Sequence, residues 1–217
     1  PNIINLNNGG VSPQPRIVQD ALDRYNRIAN EGPAYYMWRV LGDARENVRR
    51  QLAELAGVSP EEIAINRNSS EGLETILFGL NLKEGDEILT TTQDYPNMMS
   101  ALHQRELREK IKVVKIKIPV PCENNNEIVK PFREAITPNT KAILMCHVIN
   151  LTGQILPVRA VSDMAHAKGI EVICDGAHAF AHLDFKIPDL HCDYYATSLH
   201  KWLSAPFGSG MLGVKKE

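Results

Sequence analysis

Short apolar runs rich in isoleucine and valine recur along this chain, and amphipathic stretches fill the gaps between them. The runs are EIAIN (62–66), EILTT (87–91), IKVVKIKI (111–118), KAILMCHV (141–148) and IEVICD (170–175). Runs this short, bounded by turn residues and rich in β-branched side chains, read as strands. Helical periodicity predicts helices near 44–56, 70–80, 97–109, 127–136 and 158–168, the last closed by Gly169 in the position where a helix commonly turns left-handed. Strand and helix in regular alternation predict an α/β domain, a three-layer sandwich around a mostly parallel sheet. In such sheets ligands gather beyond the carboxyl ends of the strands, so chemistry is sought there.

With 217 residues and 43% hydrophobic content, the chain can bury one substantial core. Its 24 Lys and Arg against 26 Asp and Glu leave a formal net charge of -2, spread without a basic stripe. Nucleic acid and anionic membranes are therefore not expected as partners. The cysteines Cys122, Cys146, Cys174 and Cys192 lack paired short spacings, which predicts reduced, buried thiols and a cytoplasmic location. No run approaches the length of a membrane span, and PNIINLNNGG at the start has neither a basic region nor an apolar signal core. The polar CENNNE (122–127) reads as a surface turn.

Asp175 directly follows the apolar run VIC, which places its carboxylate at the rim of the sheet, where it serves either as a helix cap or as a functional acid. The run CDYYATSLHKW is a further strand leading into Ser198, His200 and Lys201, so a hydroxyl, an imidazole and an amine reach the same rim. A carboxylate and a lysine gathered with hydroxyls over a sheet edge are what pyridoxal phosphate requires: the amine forms a Schiff base and the acid keeps the pyridine nitrogen protonated. A lysine at its ordinary pKa is only about 0.04% free amine at pH 7, and a desolvated one near pKa 7 is about half free. Trp202 and Leu203, beside Lys201, are the expected source of that desolvation.

The same sheet edge offers other groups. In INRNSSEGLETIL, Asn68 and Glu71 resemble a capping box, and Ser69 and Ser70 present amides and hydroxyls at a helix start, as an ordinary cap or as a phosphate cradle. Tyr95 in TTQDYPNMM could cover a pyridine ring. Asn150 in CHVINLTGQ is a candidate hydrogen-bond partner near that ring, and His178 one for the phenolic oxygen.

The order SSEG, DYPN, HVINLTGQILPV, DGAHA, TSLHKW resembles class V, fold-type I pyridoxal phosphate enzymes, the group of cysteine desulfurases and isopenicillin N epimerase-like proteins, over nearly the whole chain. The resemblance implies that Lys201 carries the cofactor, that Asp175 pairs with the ring nitrogen, and that Ser70, Ser69, Ser198 and His200 bind the phosphate. Asn150 matches the ring-proximal asparagine of the family. Desulfurases usually have a histidine where this chain has Tyr95 and a glutamine where it has His178, so both positions resemble the epimerase-like branch. Relatives continue into a smaller domain bearing a substrate-binding arginine and, in desulfurases, a nucleophilic cysteine. Residues 1–217 are thus expected to form the large cofactor domain with its N-terminal segment, with the small domain absent from this chain. NNGG (7–10) and PAYYMWR (33–39) resemble regions that border the substrate in relatives, while Tyr35, Tyr36 and Arg39 equally suit helix and dimer packing.

The expected activity is on an amino acid or derivative, with Lys201 as acid and base at the α-carbon, His178 and Asp175 assisting, and epimerisation, transamination or C–S lysis as outcomes. A homodimer is implied by the resemblance. Cysteine desulfuration is the nearest alternative. Two others come from different classes: a metal-dependent hydrolase using Cys174, Asp175, His178, His182, His191 and Cys192, and a non-catalytic domain that keeps the fold. Against the metal reading, DGAHAFAHLDF suits a loop and strand better than a metal-binding helix.

Overall fold

The five apolar runs all become strands of one seven-stranded sheet, three of them central and two at its edges. A computed structural model describes residues 3–216; of the domain expected over 1–217, residues 1, 2 and 217 lie outside the described residues. The strands are β1 (Ile63–Asn66), β2 (Glu87–Thr91), β3 (Lys112–Ile116), β4 (Thr140–Cys146), β5 (Glu171–Asp175), β6 (Tyr194–Ser198) and β7 (Gly210–Val214), in the order β1-β7-β6-β5-β4-β2-β3. The pairings from β3 through β6 are parallel, and β7 runs antiparallel to both β6 and β1. The sheet is mostly parallel, as expected. β7 has no counterpart among the predicted strands: the run GMLGV holds two glycines in five residues and follows a Gly/Ser/Pro-rich turn, so it has little strand signal of its own. It is strand by pairing with its neighbours.

The helices are α1 (Arg16–Glu31), a short α2 (Pro33–Tyr35), α3 (Leu41–Ala56), α4 (Ser69–Gly79), α5 (Pro96–Glu109), α6 (Asn125–Ala135) and α7 (Val158–His166). Successive strand residues point to opposite faces, which gives two cores. On one face α4 and α5 cover Ile88, Leu144 and Ile173; on the other α3, α6 and α7 cover Leu89, Ile143 and Val172. Helices on both faces make the three-layer sandwich. Because β2 and β4 are covered from both sides, they are buried almost end to end and carry continuous apolar runs rather than alternation.

Several bounds shift. The 141–148 run stops as strand at Cys146, although His147 still donates its N–H to the Asp175 carbonyl at 2.9 Å. α7 ends at His166, and Gly169, at φ +70, closes the turn beyond it. Beyond Asp175, which ends β5, DGAHAFAHLDF holds no strand; residues 177–182 form successive turns. α1 was not anticipated. It is amphipathic yet has no buried residue, and a π-helical turn at Tyr36–Val40 carries the chain on into α3.

One close approach matters for the site. A Cβ on Gly176, directly after β5, would lie 1.9 Å from Tyr195 Cζ. The buried Tyr195 ring therefore packs flush beneath the turn that carries Asp175, and its hydroxyl donates to the Gly176 carbonyl at 3.3 Å.

Candidate active site

The ends of β4, β5 and β6 and the loops after β1 and β2 open into one cavity of about 800 Å³, with a narrow recess at its floor. Lys201, His178, Tyr95, Asn150 and Ser69 line both; Asp175 and Cys146 line the recess, and Ser70, Ser198 and His200 the wider chamber. Every predicted site residue thus reaches one space.

Lys201 sits in a turn after β6, and its Nζ lies 3.2 Å from His178 Nε2 and 6.0 Å from the centroid of the Tyr95 ring. Burial holds the amine below its usual range against the opposing pull of Asp175. His178 is pushed down to about 4, first by burial and then by the positive charges of Lys201 and His182, so at neutral pH its uncharged ring accepts from the amine. The expected desolvation is present. Trp202 stacks on His182 at the wall of the wider chamber, Leu203 packs against the core, and the residues of the recess line the space beside the amine.

Asp175 is almost wholly buried. Its Oδ1 accepts the Ala177 N–H at 3.0 Å, the only hydrogen bond its carboxylate makes among the described residues. Burial pushes its carboxyl up to about 6, against the Ala177 N–H and the Lys201 charge, which pull it down, while the Asp94 charge pushes it further up. An acid with one bond, facing a cavity beside a lysine, is configured to share a proton with a basic nitrogen.

The opposite wall is built for an anion. Asn68 caps α4, accepting the Glu71 N–H at 2.8 Å. The expected capping box forms only in half, because the Glu71 carboxylate takes the Arg67 N–H at 2.7 Å and the Arg67 guanidinium instead of closing on Asn68. Ser198 Oγ accepts the Ser69 N–H at 2.9 Å and donates to Ser69 Oγ at 3.1 Å, locking the start of α4 to the end of β6. Ser70, between these engaged groups, keeps its hydroxyl at the cavity. His200 donates Nδ1–H to the Ser209 carbonyl at 3.0 Å, which leaves Nε2 for a ligand.

Two contributions, those of Cys146 and Asp94, have no counterpart in the sequence reading, and a third comes from the NNGG segment, which is expected there only to border the substrate. Cys146 lines the recess, paired in register with Asp175, and burial with the nearby carboxylates of Asp94 and Asp175 pushes its thiol well up. Asp94 anchors the loop bearing Tyr95: its Oδ2 accepts from Thr90 Oγ1 (2.8 Å), Thr91 N (2.8 Å) and Thr91 Oγ1 (2.9 Å), and its Oδ1 from Cys146 N (2.8 Å). The loop Leu6–Gly10 walls the chamber, with Gly9 so close that a Cβ there would lie 3.3 Å from His178 Cε1. The polar DYPN motif was the available signal for Asp94.

The residues of the metal reading do not converge. Among the described residues no three His, Cys, Asp or Glu side chains form a ligand set; His182 stacks on Trp202, and His191 Nδ1 binds Asp163 at 2.7 Å. All four cysteines are free and buried. No helix among the described residues is long and apolar enough to cross a membrane.

The donor set fits pyridoxal phosphate: a recessed amine, an under-bonded buried acid, an aromatic face opposite the amine, and a hydroxyl at a capped helix start. A family model described as aminotransferase class-V matches residues 4–217. The isopenicillin N epimerase of Amycolatopsis lactamdurans is 33% identical over 215 residues, covering 98% of this chain and 54% of that protein. A probable cysteine desulfurase of Synechocystis sp. is 28% identical over 222 residues, covering 99% and 52%. The cystine C-S lyase C-DES, solved with its product cysteine persulfide, superposes with a TM-score of 0.87 at 25% identity, over 96% of this chain and 56% of that one. The chain spans about half the length of the curated relatives it matches.

Proposed function

The chain belongs to the aminotransferase class-V family, and on that premise we propose that it binds pyridoxal 5′-phosphate and acts on the α-carbon of an amino acid or amino-acid derivative. The observation that carries the reading is a lysine with a lowered pKa and a buried, singly bonded Asp175 lining one recess. Bound there, the cofactor supplies an electron sink for the substrate's α-carbon. Lys201 would carry it covalently, and burial, which lowers the pKa of the amine, favours its uncharged form for taking and returning a proton at that carbon. Asp175 would hold a proton at the pyridine nitrogen. Ser70 and His200 Nε2 orient the phosphate, with the Ser69–Ser198 lock keeping that wall rigid. Tyr95 would cover the ring face, Asn150 would bond near it, and His178, whose Nε2 accepts from the free Lys201 amine, would face the phenolic oxygen once that amine carries the cofactor.

Proton transfer of the epimerase type is the first reading, supported by the epimerase relatives and by Tyr95 and His178, which resemble that branch. C–S lysis, including cysteine desulfuration, is the second, supported by the similarity to C-DES and to desulfurases. A homodimer in the cytoplasm accords with the family and with four unpaired thiols. Adding pyridoxal phosphate to the purified protein should raise a visible absorption band that Lys201→Ala abolishes; a folded wild type without the band overturns the proposal. Exchange of the α-hydrogen in heavy water, against sulfide release from cysteine or cystine, separates the two readings.

A further inference from the structure

His182 takes no part in the mechanism above, yet it closes a ring of contacts around the amine. Its imidazole lies on the Trp202 indole with centroids 3.8 Å apart and planes within 9°. Its Nδ1–H donates to the His178 carbonyl at 2.9 Å. Trp202 is covalently next to Lys201, and Lys201 Nζ returns to His178 Nε2 at 3.2 Å. Two turns, one bearing His178 and the other Lys201, are bonded at their base through Gly176 and are clamped further out by this stacked pair and by the His178–Lys201 contact.

The backbone on both sides of the clamp is bent into conformations that a side chain disfavours. Ala181, just before His182, has φ +60, and Ser204, two residues after Trp202, has φ +54. The other non-glycine residues with positive φ among those described, Lys110 and His191, end helical turns. Ser204 closes the turn from Lys201, its N–H reaching the Lys201 carbonyl at 3.2 Å, and Ala181 follows the turn that begins at Gly176, so the stacked rings sit where two turns end.

We propose that His182 is a positioning residue: stacked on Trp202, it holds the Lys201 amine in the recess against His178, and so sustains its capture of the cofactor aldehyde. This rests on the reading that Lys201 carries pyridoxal phosphate. The groups facing the amine are His178, Asp175, Cys146 and the Tyr95 ring; of these only His178 joins the two turns, and it does so through the amine itself, so the stack of His182 on Trp202 is the link that leaves the amine free to react. Released from it, the amine gains water and its affinity for a proton rises.

The test follows the rate of band formation with pyridoxal phosphate across pH, with melting temperatures measured in parallel. In His182→Ala the rate at pH 7 should fall about tenfold and its pH midpoint move up by about one unit, since one unit is one tenfold change in free amine. His182→Phe keeps a flat ring on the indole and should recover most of the rate. His182→Gln keeps a donor for the His178 carbonyl without the ring and should resemble His182→Ala. Wild-type rate and midpoint in His182→Ala overturn the inference, as does His182→Phe performing no better than His182→Gln. That last comparison decides alone if His182→Ala does not fold. A wild type that forms no band overturns the cofactor reading and this inference together; a normal wild type with Phe and Gln alike overturns the inference only.

Discussion

The tips of β2 and β5 each carry a buried aspartate, and the two are treated in opposite ways. Asp94, after β2, accepts four hydrogen bonds from Thr90, Thr91 and the Cys146 backbone. Asp175, at the end of β5, accepts one. Cys146 at the end of β4 lies between them, bonded through its N–H to the first and paired in register with the second. Full coordination makes Asp94 a knot joining two strand ends, whereas a nearly bare carboxylate makes Asp175 a proton acceptor in waiting. The same residue type, equally buried, becomes structural or chemical according to how many donors the backbone brings to it.

The strongest way to break this contrast is Asp94→Ala. It strands two backbone N–H groups and two hydroxyls in the interior, and at about 1–3 kcal/mol for an unsatisfied buried group, partly relieved by water, the loss should reach about 4 kcal/mol in chemical denaturation. A loss below about 1 kcal/mol would show that the knot holds nothing.

Asp175→Asn should act the other way. Unfolded, the carboxyl titrates at its ordinary 3.8; folded, at about 6. Between those values the folded chain keeps a proton that the unfolded chain has released, so the contribution of Asp175 falls as pH rises through the window, by about 3 kcal/mol at about 1.36 per unit. His147 and His178, both pushed down to about 4, contribute with the opposite slope over much of this range, so the difference between wild type and variant is the quantity to measure. Without cofactor, the variant should gain on the wild type by that amount between pH 4 and 6. Parallel stability curves would place the Asp175 proton elsewhere. With cofactor, the variant should release it more readily, as seen by dialysis.

The smallest effect sharpens the comparison. Thr90→Val keeps shape and removes one donor of the four, and should cost about 1 kcal/mol, well short of Asp94→Ala.

Both aspartates stand in motifs that the sequence displays, DYPN and DGAHA, but only Asp175 could be read there. Its role follows from one local fact, an acid directly after an apolar strand. That of Asp94 depends on β2 lying beside β4 although β3 intervenes in the chain, and lateral strand order leaves no trace in local periodicity. The central strands and the helices covering them were legible because burial on both faces writes itself as apolar runs. β7 was not, since its pairing with β1 and β6 rather than its composition makes it a strand. Lys201 stood out through its company, whereas the groups that share its recess arrive from the ends of β2, β4 and β5, which its own segment does not display. The stack of His182 on Trp202 joins residues twenty positions apart and had no local signature.

The flush contact between Gly176 and the Tyr195 ring sets a limit on how this domain can vary. With 1.9 Å between an added methyl and the phenol, even alanine must drive the ring or the turn aside, and the turn carries the acid with it. A saturation library at position 176, sorted for soluble and cofactor-competent protein, should return glycine alone, whereas one at Gly79, where nothing lies within 4 Å, should accept many residues.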